Sequence, residues 1–310
     1  MLVQSPDLPV APPCSAEVVR QLATPSDQPF RLTCRAVLNG TEVRRPVLLE
    51  GAEASGAGLD CGGGRIVAPG EATTTRSTVA IWSRRDGAGW SRPVGVVVSD
   101  CVVVGNIRIW GMGAGGSMRD LLASSRTADH TTAAQSAAPL ATTLDRIRFE
   151  GVGTIPLYVG PGVTRTTVIR SRFRGRSTSV ALYLDAESAG AVIRDNDFDI
   201  RTGREQIAVD GSGANRIENN RFVLNGRGGI FLYRNCGEDG VIRHQTPSYN
   251  QITDNLFYRA GWLRPRLVVV GSREGRRPYC DDDAGWPFGS SLDDGDGATG
   301  NRVSGNRAVG

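Results

Sequence analysis

The chain has 310 residues, 39% of them hydrophobic, and a formal net charge of +4; it contains no lysine, so all 36 basic side chains are arginine. That apolar fraction excludes a disordered chain, and no stretch approaches the roughly 20 apolar residues that span a bilayer, so no membrane insertion is expected. Arginine alternates with Asp and Glu along the whole length instead of clustering on one face, which argues against a nucleic-acid partner.

Glycine is abundant, at 40 residues, and Val, Ile, Thr and Arg recur in short stretches where helix-forming runs are scarce, so all-β is the expected class. In chain order, residues 1–14 show neither the charged nor the apolar region of a signal peptide, and an exported protein is expected to have lost its leader already. Residues 14–24, CSAEVVRQLAT, read as a short amphipathic helix. The six cysteines are even in number, widely spaced and without a CxxC pair, which fits disulfides in a periplasmic or secreted protein; proximity alone suggests Cys14 with Cys34, Cys61 with Cys101, and Cys236 with Cys280.

From residue 143 a repeat emerges. Phe149, Phe173, Phe198 and Phe222 recur at steps of 24 or 25 residues, with Phe257 one longer step on, and a period in this range marks a solenoid. A second strand keeps the same beat, with Leu157/Val159, Leu182/Leu184, Ile207/Val209, Ile230/Leu232 and Leu267/Val269 expected to face inward. Two residues before each Phe stand Ile147, Ser171, Asn196, Asn220 and Asn255, and stacked Asn amides can satisfy one another from coil to coil.

With this repeat and asparagine ladder, the sequence resembles the right-handed parallel β-helix proteins of the pectate-lyase-like superfamily, best over residues 143–258 and more broadly from 59 to 309. The resemblance implies a single-stranded right-handed parallel β-helix with a short N-terminal capping helix and loop insertions. Residues 1–58 form the cap and first strands, and 59–310 the helix. LDCGGGRIVAPG looks like its opening coil, and CVVVGNIRIWG like another, with Ile107 and Ile109 in the places of Ile147 and Phe149. The superfamily holds lyases, hydrolases, epimerases, phage depolymerases and non-enzymatic proteins, so fold alone leaves function open.

Insertions near 112–142, 234–249 and 272–298 interrupt the repeat, and in solenoids such insertions often wall the binding face. The second begins where the two preceding coils carry Asp185 and Asp210, at one phase of the repeat and directly after two inward positions. Stacked on adjacent coils about 5 Å apart, two unpaired carboxylates would raise each other's pKa, so a shared proton, an arginine or a cation should lie between them. Beside them runs an outward column of Tyr158, Tyr183 and Phe231. Tyr233, Arg234, Glu238, Arg243 and His244 come from the loop side, and Glu187 and Glu205 flank the pair. Aromatic rings beside converging charges suit sugar rings and hydroxyls; each aspartate alone also fits a turn residue, and the rings also fit packing beneath a loop.

These residues fit a polysaccharide or oligosaccharide substrate. Glycoside hydrolysis asks for two carboxyl groups, about 5 Å apart for retention and about 6.5–9.5 Å for inversion; Asp185 with Asp210 suits the first spacing, and pairs that include Glu187 or Glu205 the second. β-Elimination or epimerisation of a uronate asks for a base, here Arg234, Arg243 or His244, with Asp185 and Asp210 as ligands should calcium take part. A non-catalytic glycan-binding or structural β-helix is the third reading. No resident metal or cofactor is otherwise expected: the aspartates of CDDDAG and LDDGDG miss EF-hand spacing and read as turns, and the sequence leaves monomer and homo-oligomer open.

Overall fold

The computed structural model describes residues 8–70, 76–87, 89–114, 118–225, 227–259, 264–273, 275–282, 286–289 and 295–309. Among these, the chain winds into three parallel sheets of nine strands each, a right-handed parallel β-helix. One coil shows the plan: Leu182–Leu184 in sheet 1, Val192–Arg194 in sheet 3, Asp197–Phe198 in sheet 2, then back to sheet 1 with Ile207–Asp210. Winding starts early: Phe30–Arg31 and Val47–Glu50 already belong to sheet 1, and Arg35–Val37 pairs with Gly58–Asp60 in sheet 3, so the first coils lie within residues 1–58.

The open N-terminal end needs a cover, because a solenoid exposes its core at both ends. Helix α1, Ala16–Ala23, supplies it. Ser15 caps it by accepting from the Val18 amide at 3.3 Å, Leu22 is fully buried, and Val18 and Val19 pack on the core. The disulfides are Cys14–Cys34, Cys61–Cys101 and Cys236–Cys280, the pairs suggested by proximity.

The core of the central coils is a column of stacked Phe rings, from Phe149 through Phe173, Phe198 and Phe222 to Phe257, with centroids 4.3, 4.3, 4.7 and 4.8 Å apart. These steps match the spacing of neighbouring strands, so identical residues at one phase meet face to face. Upstream, however, the partner of Phe149 is Val103; Ile107 and Ile109 pair with Leu157 and Val159 in sheet 1, not with the Phe column as expected. Downstream, sheet 1 pairs Val268 with Ile230 and Val270 with Leu232, one residue away from the expected Leu267/Val269 register. Apolar–any–apolar recurs in every strand, and a run such as Val268–Val270 has no alternation to fix its phase.

The turn from sheet 3 to sheet 2 is nearly identical in each coil. A residue with positive φ (Arg170, Asp195, Asn219, Asp254) precedes the ladder position and turns the chain so sharply that the next amide has no strand partner. The ladder supplies one: Asn220 Oδ1 accepts from the backbone N–H and from Nδ2 of Asn196, both at 3.0 Å, and Asn255 does the same for Asn220. Asn306 extends the column, and in the earlier coils Ser171 accepts from the Ile147 amide. A second ladder, unforeseen in the sequence, joins Asn215, Asn250 and Asn301 in the turn from sheet 1 to sheet 3.

That same corner hosts the three insertions. The chain leaves sheet 1 after Trp110, Tyr233 and Val270 and re-enters sheet 3 at Thr143, Gln251 and Arg302, whereas the coils at Val159, Leu184 and Asp210 cross directly. The hairpin Arg84–Asp86/Gly89–Ser91 opens there as well. The excursions therefore gather over the short corners that carry Asp185 and Asp210.

Candidate functional site

Sheet 1 sets the outward columns. Tyr158, Tyr183, Ala208, Phe231 and Val269 stand in register, and Asp210 pairs with Tyr233 two residues on. Each tyrosine leans across one coil to the carboxylate of the next: Tyr158 donates to Asp185, and Tyr183 to Asp210 at 2.5 Å. Burial first, and the adjacent carboxylate second, hold both phenols well above the usual tyrosine range, so they remain protonated donors.

Arg243, from the second excursion, lies between the two aspartates. Its Nη1 is 2.6 Å from Asp185 Oδ1 and 3.2 Å from Asp210 Oδ2, with only 12% of its side chain exposed. The counter-charge expected between the carboxylates is thus a guanidinium, and the place calcium would share is taken. Despite desolvation, Asp210 and Asp185 hold Arg243 well above the ordinary arginine range. Asp210 is wholly buried and also accepts from the Asn235 amide (2.8 Å) and Nδ2 (2.6 Å). Burial raises its carboxyl, against the pull of Arg243. Asp185 keeps 6% exposure and accepts from the Ala186 amide at 2.8 Å.

Glu187 and His244 fasten the walls. The Glu187 carboxylate accepts from the Thr131 hydroxyl and from the amides of His244 (2.7 Å) and Gln245 (3.1 Å), tying helix α3, His130–Ala137, to the second excursion. Burial raises its pKa. The His244 ring lies 5.1 Å from that of His130 and 5.6 Å from Phe288, with Nε2 at 2.7 Å from the carbonyl of Ser125, the last residue of helix α2, Met118–Ser125. Burial, with His244 adding to it, pushes the His130 ring down to about 4. Cys236–Cys280 joins the second and third excursions.

These walls enclose a cleft of about 460 Å³ lined by Trp110, Tyr158, Tyr183, Asp185, Glu238 and Arg243, among others. Glu238 stands exposed at its rim, in the single turn Glu238–Gly240. Desolvation by the surrounding loop raises its carboxyl; Arg243 opposes this, and Asp210 and Asp185 add to it.

Several expected members lie elsewhere. Tyr233 is fully buried, its hydroxyl accepting from Arg204 at 2.7 Å and donating to Glu205 at 3.1 Å, so both Tyr233 and Glu205 serve a cluster at the other edge of sheet 1. Phe231 packs with Val180, Ala208 and Tyr233 beneath Arg266, and Arg234 Nε donates to the Gly295 carbonyl. None of these four lines the cleft. Phe231, Tyr233 and Arg234 belong to the strand Ile230–Tyr233 and the excursion that starts there, which bends back over Asp185 rather than over its own coil, whereas Glu205 precedes Ile207–Asp210 and so lies at the corner from sheet 2. Among the described residues no group of three His, Cys, Asp or Glu is placed to hold a metal ion; Asp283, Asp293 and Asp294 lie outside the described residues.

The family model described as right handed beta helix region matches residues 136–310. No curated protein sequence matches. Among solved structures, the Streptococcus pneumoniae surface protein and adhesin PfbA is similar at 13% identity and a TM-score of 0.48, over 76% of this chain and 63% of that one. The Dettilon tailspike protein is similar at 12% identity and 0.42, over 91% and 54%. DFA-IIIase from Arthrobacter chlorophenolicus A6 is similar at 13% identity and 0.39, over 98% and 75%. The chain thus spans less than two thirds of the first two.

Proposed function

The chain belongs to the family of right-handed β-helix proteins, and from that premise we propose that the cleft beside Asp185 binds a glycan and cleaves it by hydrolysis. The observation that carries this reading is the pairing of two reachable carboxyl groups in unlike surroundings. Asp185 is fixed by Tyr158, Arg243 and the Ala186 amide, while Glu238 lines the same cleft in a setting that raises its pKa. Hydrolysis of a glycosidic bond needs such a division, one carboxyl kept protonated to serve the leaving oxygen and one carboxylate to act on the sugar or on water. Asp210, wholly buried, works through Arg243 as a positioning residue. Trp110, Tyr158 and Tyr183 supply apolar ring surface beside these charges.

Elimination and epimerisation have less support, because each needs a free base. Arg243 is held in two ion pairs, and the His244 ring is engaged with Ser125, His130 and Phe288. Three disulfides suit an oxidising compartment, the periplasm or the cell exterior, where polysaccharides are met. Digestion of a glycan library with product masses read by spectrometry tests the reaction: hydrolysis adds one water per cut. Products lacking that water would replace the proposal with elimination, and no product from any glycan would leave a binding protein.

A further inference from the structure

A second groove lies across sheet 1 from the cleft. The cleft residues follow the sheet 1 strands, as Asp185 follows Leu184; the groove residues precede them, at the corner where sheet 2 hands the chain to sheet 1. This groove, of about 630 Å³, is lined by Arg176, Arg201 and Arg227 with Thr178, Gly203 and Asn225. Arg176 and Arg201 are register partners on adjacent coils, and Arg227 enters from the next coil.

All three arginines are exposed, and among the described residues none makes an ion pair or a hydrogen bond. The contrast with their neighbours is sharp: Arg174 and Arg221 both hold Asp197, and Arg204 holds Glu205, so nearby carboxylates are already engaged. The lining hydroxyls are engaged as well, Ser177 Oγ accepting from the Ser179 amide, Thr178 Oγ1 donating to the Gly153 carbonyl and Thr202 Oγ1 to the Arg204 carbonyl. What the groove offers a ligand is therefore cationic forks, repeated along the solenoid axis.

We propose that this groove is a docking site for a carboxylated glycan, a sugar chain with an acidic group on successive residues, lying along the axis. Guanidinium forks match carboxylates in geometry and charge. Coils stack about 4.8 Å apart, on the order of one pyranose, so one charge per sugar meets one arginine per coil. Among the described residues no aromatic side chain lines the groove, which removes the stacking on which single-stranded nucleic acids depend. The inference goes beyond the cleft and does not depend on which reaction occurs there.

Fluorescence anisotropy with a labelled oligouronate tests it. The parent protein should bind, and binding should weaken as ionic strength rises from about 0.05 to 0.5 M and the Debye length shrinks. The triple variant Arg176→Gln/Arg201→Gln/Arg227→Gln should bind at least about tenfold more weakly, with an unchanged melting curve since all three side chains are exposed. Should that variant fold poorly, Arg201→Gln alone should still weaken binding about threefold. Undiminished binding by the variants would overturn the proposal. So would a neutral dextran, a sulfated oligosaccharide or single-stranded DNA of equal charge that binds as tightly as the oligouronate.

Discussion

The two corners that flank sheet 3 solve one problem in opposite ways. At the corner toward sheet 2, like meets like: each Asn satisfies the next, and each Phe stacks on the next, so the structure follows from repetition. At the corner toward sheet 1, the ladder of Asn215, Asn250 and Asn301 is overlaid by unlike groups from distant segments, with Arg243, Thr131 and His244 reaching Asp185, Asp210 and Glu187. A repeated corner can be stiff and inert, while an irregular one can set unlike charges against each other in a cleft, and that is where chemistry needs them.

The largest expected effect lies in the irregular corner. Arg243→Ala leaves two carboxylates buried without their cation and should cost about 3–5 kcal/mol by chemical denaturation, the range for breaking a buried ion pair. A loss under about 1 kcal/mol, as for an exposed pair, would show that the corner is solvated and no different from an ordinary surface turn.

Acid should loosen the same corner. The folded pKa of His130, about 4, lies below its unfolded value near 6.5, so protonation favours the unfolded form. Its stabilising effect is complete above about pH 6.5 and is lost as the pH falls toward 4, by about 3 kcal/mol in all. Hydrogen exchange at pH 5 should therefore reach the helices Met118–Ser125 and His130–Ala137 before the Asn ladder, and His130→Gln should flatten the pH dependence. Equal acceleration in both regions would contradict this.

In the repeated corner, Asn220→Ala removes the acceptor of the Asn196 amide and a partner of Asn255, and should destabilise by about 1–3 kcal/mol. Tyr183→Phe, which takes one donor from Asp210 but leaves Asn235 and Arg243 in place, should cost less, about 1 kcal/mol. A reversal of that order in urea melts would mean that the irregular corner depends on its tyrosine more than the geometry implies.

This contrast also explains what could be read in advance. The Phe and Asn columns are visible because a residue stacked on its own kind must recur at the coil period. The second ladder had the same signal, Asn215, Asn250 and Asn301 each two residues before Ile217, Ile252 and Val303, but no Phe marks that turn. Asp185 and Asp210 were legible as a phased pair, and Arg243 as a loop residue near them. The burial of Asp210 and of Tyr233, the clasp on Glu187 and the rim position of Glu238 were not, because they depend on how an excursion folds back, and that path has no period. The register of Ile107 and Ile109 failed for the opposite reason: three strands per coil share one apolar alternation, and it cannot tell them apart.

In the proposed hydrolysis the repeated coil holds the fixed carboxylate, Asp185, while the excursion supplies the working acid, Glu238. Steady-state turnover of Glu238→Gln on a glycan that the parent protein hydrolyses tests this most directly. The variant should keep an unchanged fold, with kcat lowered by roughly 100-fold as expected for loss of a general acid, and a KM close to that of the parent. Full turnover by this variant would contradict this assignment and move the acid away from the rim of the cleft.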